Sequence, residues 1–129
     1  MSTNIVPKNL ARAALIVGLA LTLSATYALS HHSAADMDLR NPIQIEGVVK
    51  EIQVVNPHIK WVLEVTDEKG TRDIEFEGHS RNNVYRAGFR DGMVKAGDRV
   101  TLSVGPMRDG SDGGYVVGFR TADGREIGL

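Results

Sequence analysis

The run from Ile43 to Val65, IQIEGVVKEIQVVNPHIKWVLEV, restricts this chain more than any other stretch. Its apolar residues begin on odd positions, at Ile43, Ile45 and Val49, with Gly47 keeping the parity. They then move to even positions, at Ile52 and Val54. Side chains alternate between faces along a strand, so a change of parity demands an extra residue or a sharp coil. The spacing places a bulge near Lys50-Glu51. A long first strand that bends midway can serve two sides of a small closed barrel. Asn56-Pro57 then ends the ladder, because proline has no N–H to donate and asparagine favours turns. In the second strand Ile59, Trp61, Leu63 and Val65 share one face, and His58, Lys60, Val62 and Glu64 the other. His58 therefore falls at the turn, on the wetter face.

Downstream the pattern stays short and β-like. Asp67-Glu68-Lys69-Gly70 is a turn with Gly70 free to take a positive φ. Thr71 to Glu77 is a third strand, with Ile74 and Phe76 inward and Asp73, Glu75 and Glu77 outward. Ser80 can cap a short helix over Arg81 to Ala87, with Gly88 as its stop. Val84, Tyr85 and Phe89 form its packed side. Lys95 to Asp98 turns into a fourth strand carrying Val100, Leu102 and Val104. Arg108 to Gly114 reads as a flexible loop. Tyr115, Val117 and Phe119 alternate in a fifth strand, with the core on their side. Asp123-Gly124 leads into a short tail. Three strands, a helix and two strands is the element order of an OB-type barrel. The expectation is an all-β fold with one short helix: a small OB-like antiparallel barrel of five to six strands, over residues 43–129.

The N-terminal third has a different character. Lys8 and Arg12 form a basic start without acids, and Ala13 to Leu23 is an apolar run. Ala28-Leu29-Ser30 offers small residues before His31. This is the layout of a secretory signal over residues 1–30, with cleavage expected between Ser30 and His31. The apolar run falls short of the ~20 residues a membrane span requires. Membrane attachment would therefore come only from an uncleaved signal segment, and the expected location is periplasmic or secreted. Residues 31–42 are polar and aperiodic, and read as an N-terminal arm. Taking Lys8 and Arg12 from 15 basic residues leaves 13 against 16 acidic, a mature net charge of −3. Generic nucleic-acid binding leans on a basic surface and is not expected here. The absence of cysteine removes disulfides, thiolate nucleophiles and Cys-based metal sites.

Several short motifs follow one another along the chain: His31-His32-Ser33, Gly47-Val48-Val49, Val55-Asn56-Pro57-His58, and Gly97-Asp98-Arg99-Val100-Thr101. Asp109-Gly110-Ser111 and Asp123-Gly124-Arg125 follow them. In these the chain resembles a family of small exported bacterial proteins of unknown function, over nearly all of residues 31–129. Two positions depart from the family's pattern. Ala34 stands where an aromatic usually follows His-His-Ser, and Phe89 stands where a tryptophan is usual. The resemblance implies an exported OB-like domain and no particular activity.

The chemistry that the residues suggest centres on histidine. If the mature chain begins at His31, that residue's α-amine and ring nitrogen can chelate one metal ion. A further imidazole, with His58 the natural candidate, would complete a nitrogen site that favours Cu(II). Cleavage one residue earlier would give Ser30-His31-His32, another amine, amide and imidazole chelate of the same preference. The metal candidates are thus His31, His32 and His58, with His79, just before the helix cap, a weaker one. The alternative is that all four histidines are solvated or bond only to the turn backbone. Asp73, Glu75 and Glu77 could attract a cation, although a charged row on a strand face also serves to discourage edge pairing. The Asp109–Gly114 loop lacks the spacing and the closing glutamate of a calcium loop. Arg81, Arg86 and Arg90 could pair with the acidic row or bind an anion. No Gly-x-Ser-x-Gly motif is present.

These residues point to an exported binding module more than to an enzyme. Its ligand would be a small solute or a metal ion, copper being the favoured ion. A copper-dependent redox enzyme with a histidine brace is one alternative. A structural domain that pairs with an envelope protein through a sheet edge is another.

Overall fold

The computed structural model describes residues 34–129, which hold six strands and one α-helix. The first strand, β1 (Ile43–Gln53), is long because it serves two neighbours. Its first half, Ile43 to Val48, pairs antiparallel with β4 (Arg99–Pro106). Its second half, Val48 to Gln53, pairs with β2 (Lys60–Asp67). Between Val49 and Glu51 the register slips, leaving Lys50 as the extra residue. That is the bulge the parity change demands. Gly47 sits where β1 crosses closest to β2, and a Cβ there would lie 2.7 Å from the Glu64 carbonyl oxygen.

The β2–β3 hairpin turns at Gly70, whose φ is +102°. It pairs β2 in full register with β3 (Gly70–Gly78). A short helix, α1 (Arg81–Arg86), follows. Ser80 caps it by accepting the Asn83 backbone N–H on its hydroxyl at 3.3 Å. Gly88, at φ +108°, stops it. Strands β4 and β5 (Gly114–Thr121) form a hairpin, and β6 (Glu126–Gly128) adds a short edge beside β5. The order is β3-β2-β1-β4-β5-β6, and a parallel pairing of β3 with β5 closes the ring. This is the strand order of an OB-like barrel. The closure is uneven, because β3 and β5 pair at only two positions, Glu77 with Tyr115 and Gly78 with Val116.

The core forms as the alternation requires. Val49, Trp61, Leu63, Ile74, Phe76, Val100, Leu102 and Val104 all point inward. Trp61 packs edge-to-face on Phe119 at 5.1 Å, and Phe119 in turn meets Phe89 at 6.1 Å. From the helix, Val84 is buried.

Three readings of the sequence need revision. Tyr115 and Val117 do not line the core; Val116 does, with Phe119 beyond it. The cause is a second bulge, where the β4–β5 register shifts between Ser103 and Val104 and flips the start of β5. The tail after Asp123-Gly124 is a sixth strand with Ile127 buried. Within the stretch read as an arm, Ala34–Asp36 is a 3₁₀ turn and Met37 is buried, bridged to Met107. Asp38 donates its N–H to the Pro106 carbonyl at 2.8 Å, and Arg108 donates to the Asp36 carbonyl at 2.8 Å. The segment thus straps across the end of β4.

Candidate functional site

The Asn56-Pro57-His58 loop enters β2 after a cis Asn56–Pro57 peptide. Three backbone bonds fix it. Ile59 donates its N–H to the His79 carbonyl at 3.0 Å, and Gly78 donates to the Ile59 carbonyl at 2.8 Å. Arg81, at the start of α1, donates to the Val55 carbonyl at 3.1 Å. These bonds tie the loop bearing His58 to the strand end bearing His79. Ile59 is buried, so its chain neighbour His58 is turned outward.

The parallel seam brings β5 to the same place. Tyr115 lies opposite Glu77, and its ring meets both imidazoles. The His79 ring meets it edge-on at 5.1 Å, and the His58 ring edge-on at 6.1 Å. Glu77 approaches His58 Nδ1 with a carboxylate oxygen at 3.8 Å. Both side chains remain about two-fifths exposed, at 45% for His58 and 41% for Glu77. The result is an open patch of two imidazoles, a carboxylate and a half-buried phenol. Burial, together with the nearby Glu77 carboxylate, raises the Tyr115 pKa above its ordinary value of 10.0. The phenol is therefore neutral at physiological pH and can donate a hydrogen bond.

His58 and His79 are thus neighbours of one tyrosine, although 21 positions separate them in sequence. His31 and His32 lie outside the described residues. Among the described residues, no group of three or more His, Cys, Asp or Glu side chains is arranged to hold a metal ion. Tyr115 and the specific part of Glu77 were hidden in the sequence. Alternation puts Tyr115 in the core, and Glu77 reads as one of three outward acids. The one available signal was Gly113-Gly114, a glycine pair that marks an irregular strand entry.

The helix arginines do not join the acidic row. Arg81 stacks over the Tyr85 ring at 5.1 Å, and Arg90 donates to the Tyr85 and Phe89 carbonyls. Of the row itself, Asp73 and Glu75 are exposed and Glu77 is half-buried. The Asp109–Gly114 loop serves the fold: Ser111 bonds to Asp109, and Asp112 is held by Arg72. No described helix is long and apolar enough to cross a membrane.

Residues 19–116 match a family profile described as "Family of unknown function (DUF6152)". The chain belongs to that family. The match spans well over half of the chain and includes His58, Glu77, His79 and Tyr115. No curated protein and no solved structure matches the chain.

Proposed function

We propose that this chain is an exported binding module whose ligand site is the His58–Glu77–His79–Tyr115 patch, and that Cu(II) is the ion it favours. The observation that carries the reading is that the His58 and His79 rings both contact the Tyr115 ring, with a Glu77 carboxylate oxygen 3.8 Å from His58 Nδ1. Imidazole donors suit Cu(II) above the other divalent first-row ions. Two protein imidazoles leave positions open to water or to a second ligand, as a delivery or sensing site requires. Glu77 adds a negative charge at the rim, and the neutral Tyr115 phenol can hydrogen-bond a bound water.

Export rests on the basic start at Lys8 and Arg12, the apolar run to Leu23 and the small residues before His31. Periplasmic or secreted protein would then begin at His31. Intact-mass analysis of protein recovered outside the cytoplasm tests this half of the reading. A mass retaining residues 1–30 contradicts it.

Calorimetric titration with Cu(II) tests the other half. One ion per chain is expected, and His58→Ala and His79→Ala should each weaken binding at least tenfold. Both positions are outside the core, so the folds should persist. Unchanged affinity in both variants would move the site elsewhere.

A further inference from the structure

One mouth of the barrel is open beside the seam where β3 and β5 pair at only two positions. There a cleft of about 480 Å³ lies between the start of β1, the β2–β3 hairpin and the β4–β5 loop. Its size falls in the range of small-molecule sites, roughly 300–1,000 Å³. None of its lining residues belongs to the histidine patch.

The walls of the cleft are apolar: Ile43, Ile45, Val65, Ile74 and Phe76 contribute, with Met107 on the loop side. Ile43 is 47% exposed and presents its side chain to the solvent at this mouth. The charged residues around the cleft are each paired. Arg72 binds Asp112 through Nε at 2.6 Å and a second nitrogen at 2.7 Å. It also clasps both carboxylate oxygens of Asp67, at 2.7 and 3.1 Å. Lys69 lies 4.0 Å from Asp112, and Glu46 is bound by Arg99 at 3.0 Å. Arg72 therefore ties the hairpin to the loop across the gap that strand pairing leaves. The rim charges balance, Arg72 and Lys69 against Asp67 and Asp112, so an ionised ligand would meet no surplus of opposite charge to offset the loss of its water.

We propose that this mouth is a second binding site, for a small uncharged apolar molecule. The paired rim supplies the selectivity, because it offers no partner to an anion or a cation. The apolar walls supply the affinity, since a molecule seated there removes Ile43 and its neighbours from water.

The test uses N-phenyl-1-naphthylamine, an uncharged apolar fluorophore, titrated into the folded protein. Trp61, the only tryptophan, pairs across the hairpin with Phe76 on the cleft wall and serves as a built-in energy donor. Saturable one-to-one binding with quenching of Trp61 is expected. Ile43→Glu places a lone charge on the wall at an exposed position, and should weaken the probe at least tenfold. Ile45→Phe fills the cleft from a half-buried position and should do the same. The anionic relative 8-anilino-1-naphthalenesulfonate should bind at least tenfold more weakly than the neutral probe. Absence of saturable binding to the unaltered protein overturns the proposal. So does neutral-probe binding that neither substitution changes, or tighter binding of the anionic probe. Cu(II) affinity should be the same in Ile43→Glu as in the unaltered protein, which separates the two sites.

Discussion

Trp61→Ala is the substitution for which the structure sets the firmest magnitude. Trp61 is 2% exposed, stacks edge-on with Phe119, and is flanked across strands by Ile52 and Phe76. A buried tryptophan removes roughly 150–250 Å² from water. At about 25 cal/mol per Å² that is about 4–6 kcal/mol. Compactness of the unfolded chain lowers such figures by roughly 10–40%. The remainder agrees with the ~3–5 kcal/mol measured for Trp→Ala changes in other cores. Small domains are stable by only about 5–15 kcal/mol, so the variant should fold with little margin. With a urea dependence of about 1.5 kcal/mol per M, the midpoint should fall by about 2–3 M. The assay is urea unfolding followed by far-ultraviolet circular dichroism, since the substitution removes the tryptophan signal. Trp61→Phe keeps an aromatic edge against Phe119 and should lose less. A midpoint that barely moves in Trp61→Ala would refute the packing argument and place the indole at the surface.

Other consequences are more local. Gly47→Ala should destabilise the fold, because the new Cβ would sit 2.7 Å from the Glu64 carbonyl oxygen and part β1 from β2; a thermal melt unchanged by the substitution would contradict this. Ser80→Ala should cost about 0.5–1 kcal/mol by chemical denaturation, through loss of the helix cap. Hydrogen bonds from Arg72 hold Asp67 and Asp112 below the ordinary carboxylate value of 3.8. Their stabilising contribution is therefore complete above the unfolded-state value and is lost as the pH falls through the folded one. Arg72→Met should flatten that acid limb of the stability curve, and an unchanged limb would show that the clasp does not matter in solution.

Much of this fold can be read from local alternation. The parity change between Val49 and Ile52 has one economical explanation, an inserted residue, and Lys50 is that residue. The Ile59, Trp61, Leu63, Val65 series could face only one way, and it is buried throughout. Ser80 and Gly88 bracket the helix because a hydroxyl and a positive φ are what its two ends require.

Tyr115 shows where this reasoning stops. Its side is set by a bulge within β5, where Val117 is the extra residue between Gly118, opposite Ser103, and Val116, opposite Val104; with Val116 and Val117 both apolar, the sequence does not show which of them faces the core. The candidate site depends on long-range pairing. The loop bearing His58 is tied to the strand end bearing His79 by the backbone bonds of Ile59 with His79 and Gly78, and Tyr115 reaches both rings through a two-position parallel seam. Residues brought together by strand closure have no sequence spacing to announce them. Met37 is a further instance. The few apolar residues of that polar stretch have no period, yet Met37 is buried, bridged to Met107 just past the end of β4.

The most direct test of the proposed site is the effect of substoichiometric Cu(II) on the amide resonances of ¹⁵N-labelled protein comprising residues 31–129. Paramagnetic copper broadens the signals nearest to it. Selective loss at residues 58–59, 77–79 and 115, removed by His79→Ala, is the predicted result. Broadening confined to residues 31–33, or spread evenly over the surface histidines and carboxylates, would contradict the assignment of the site to the loop and seam around Tyr115.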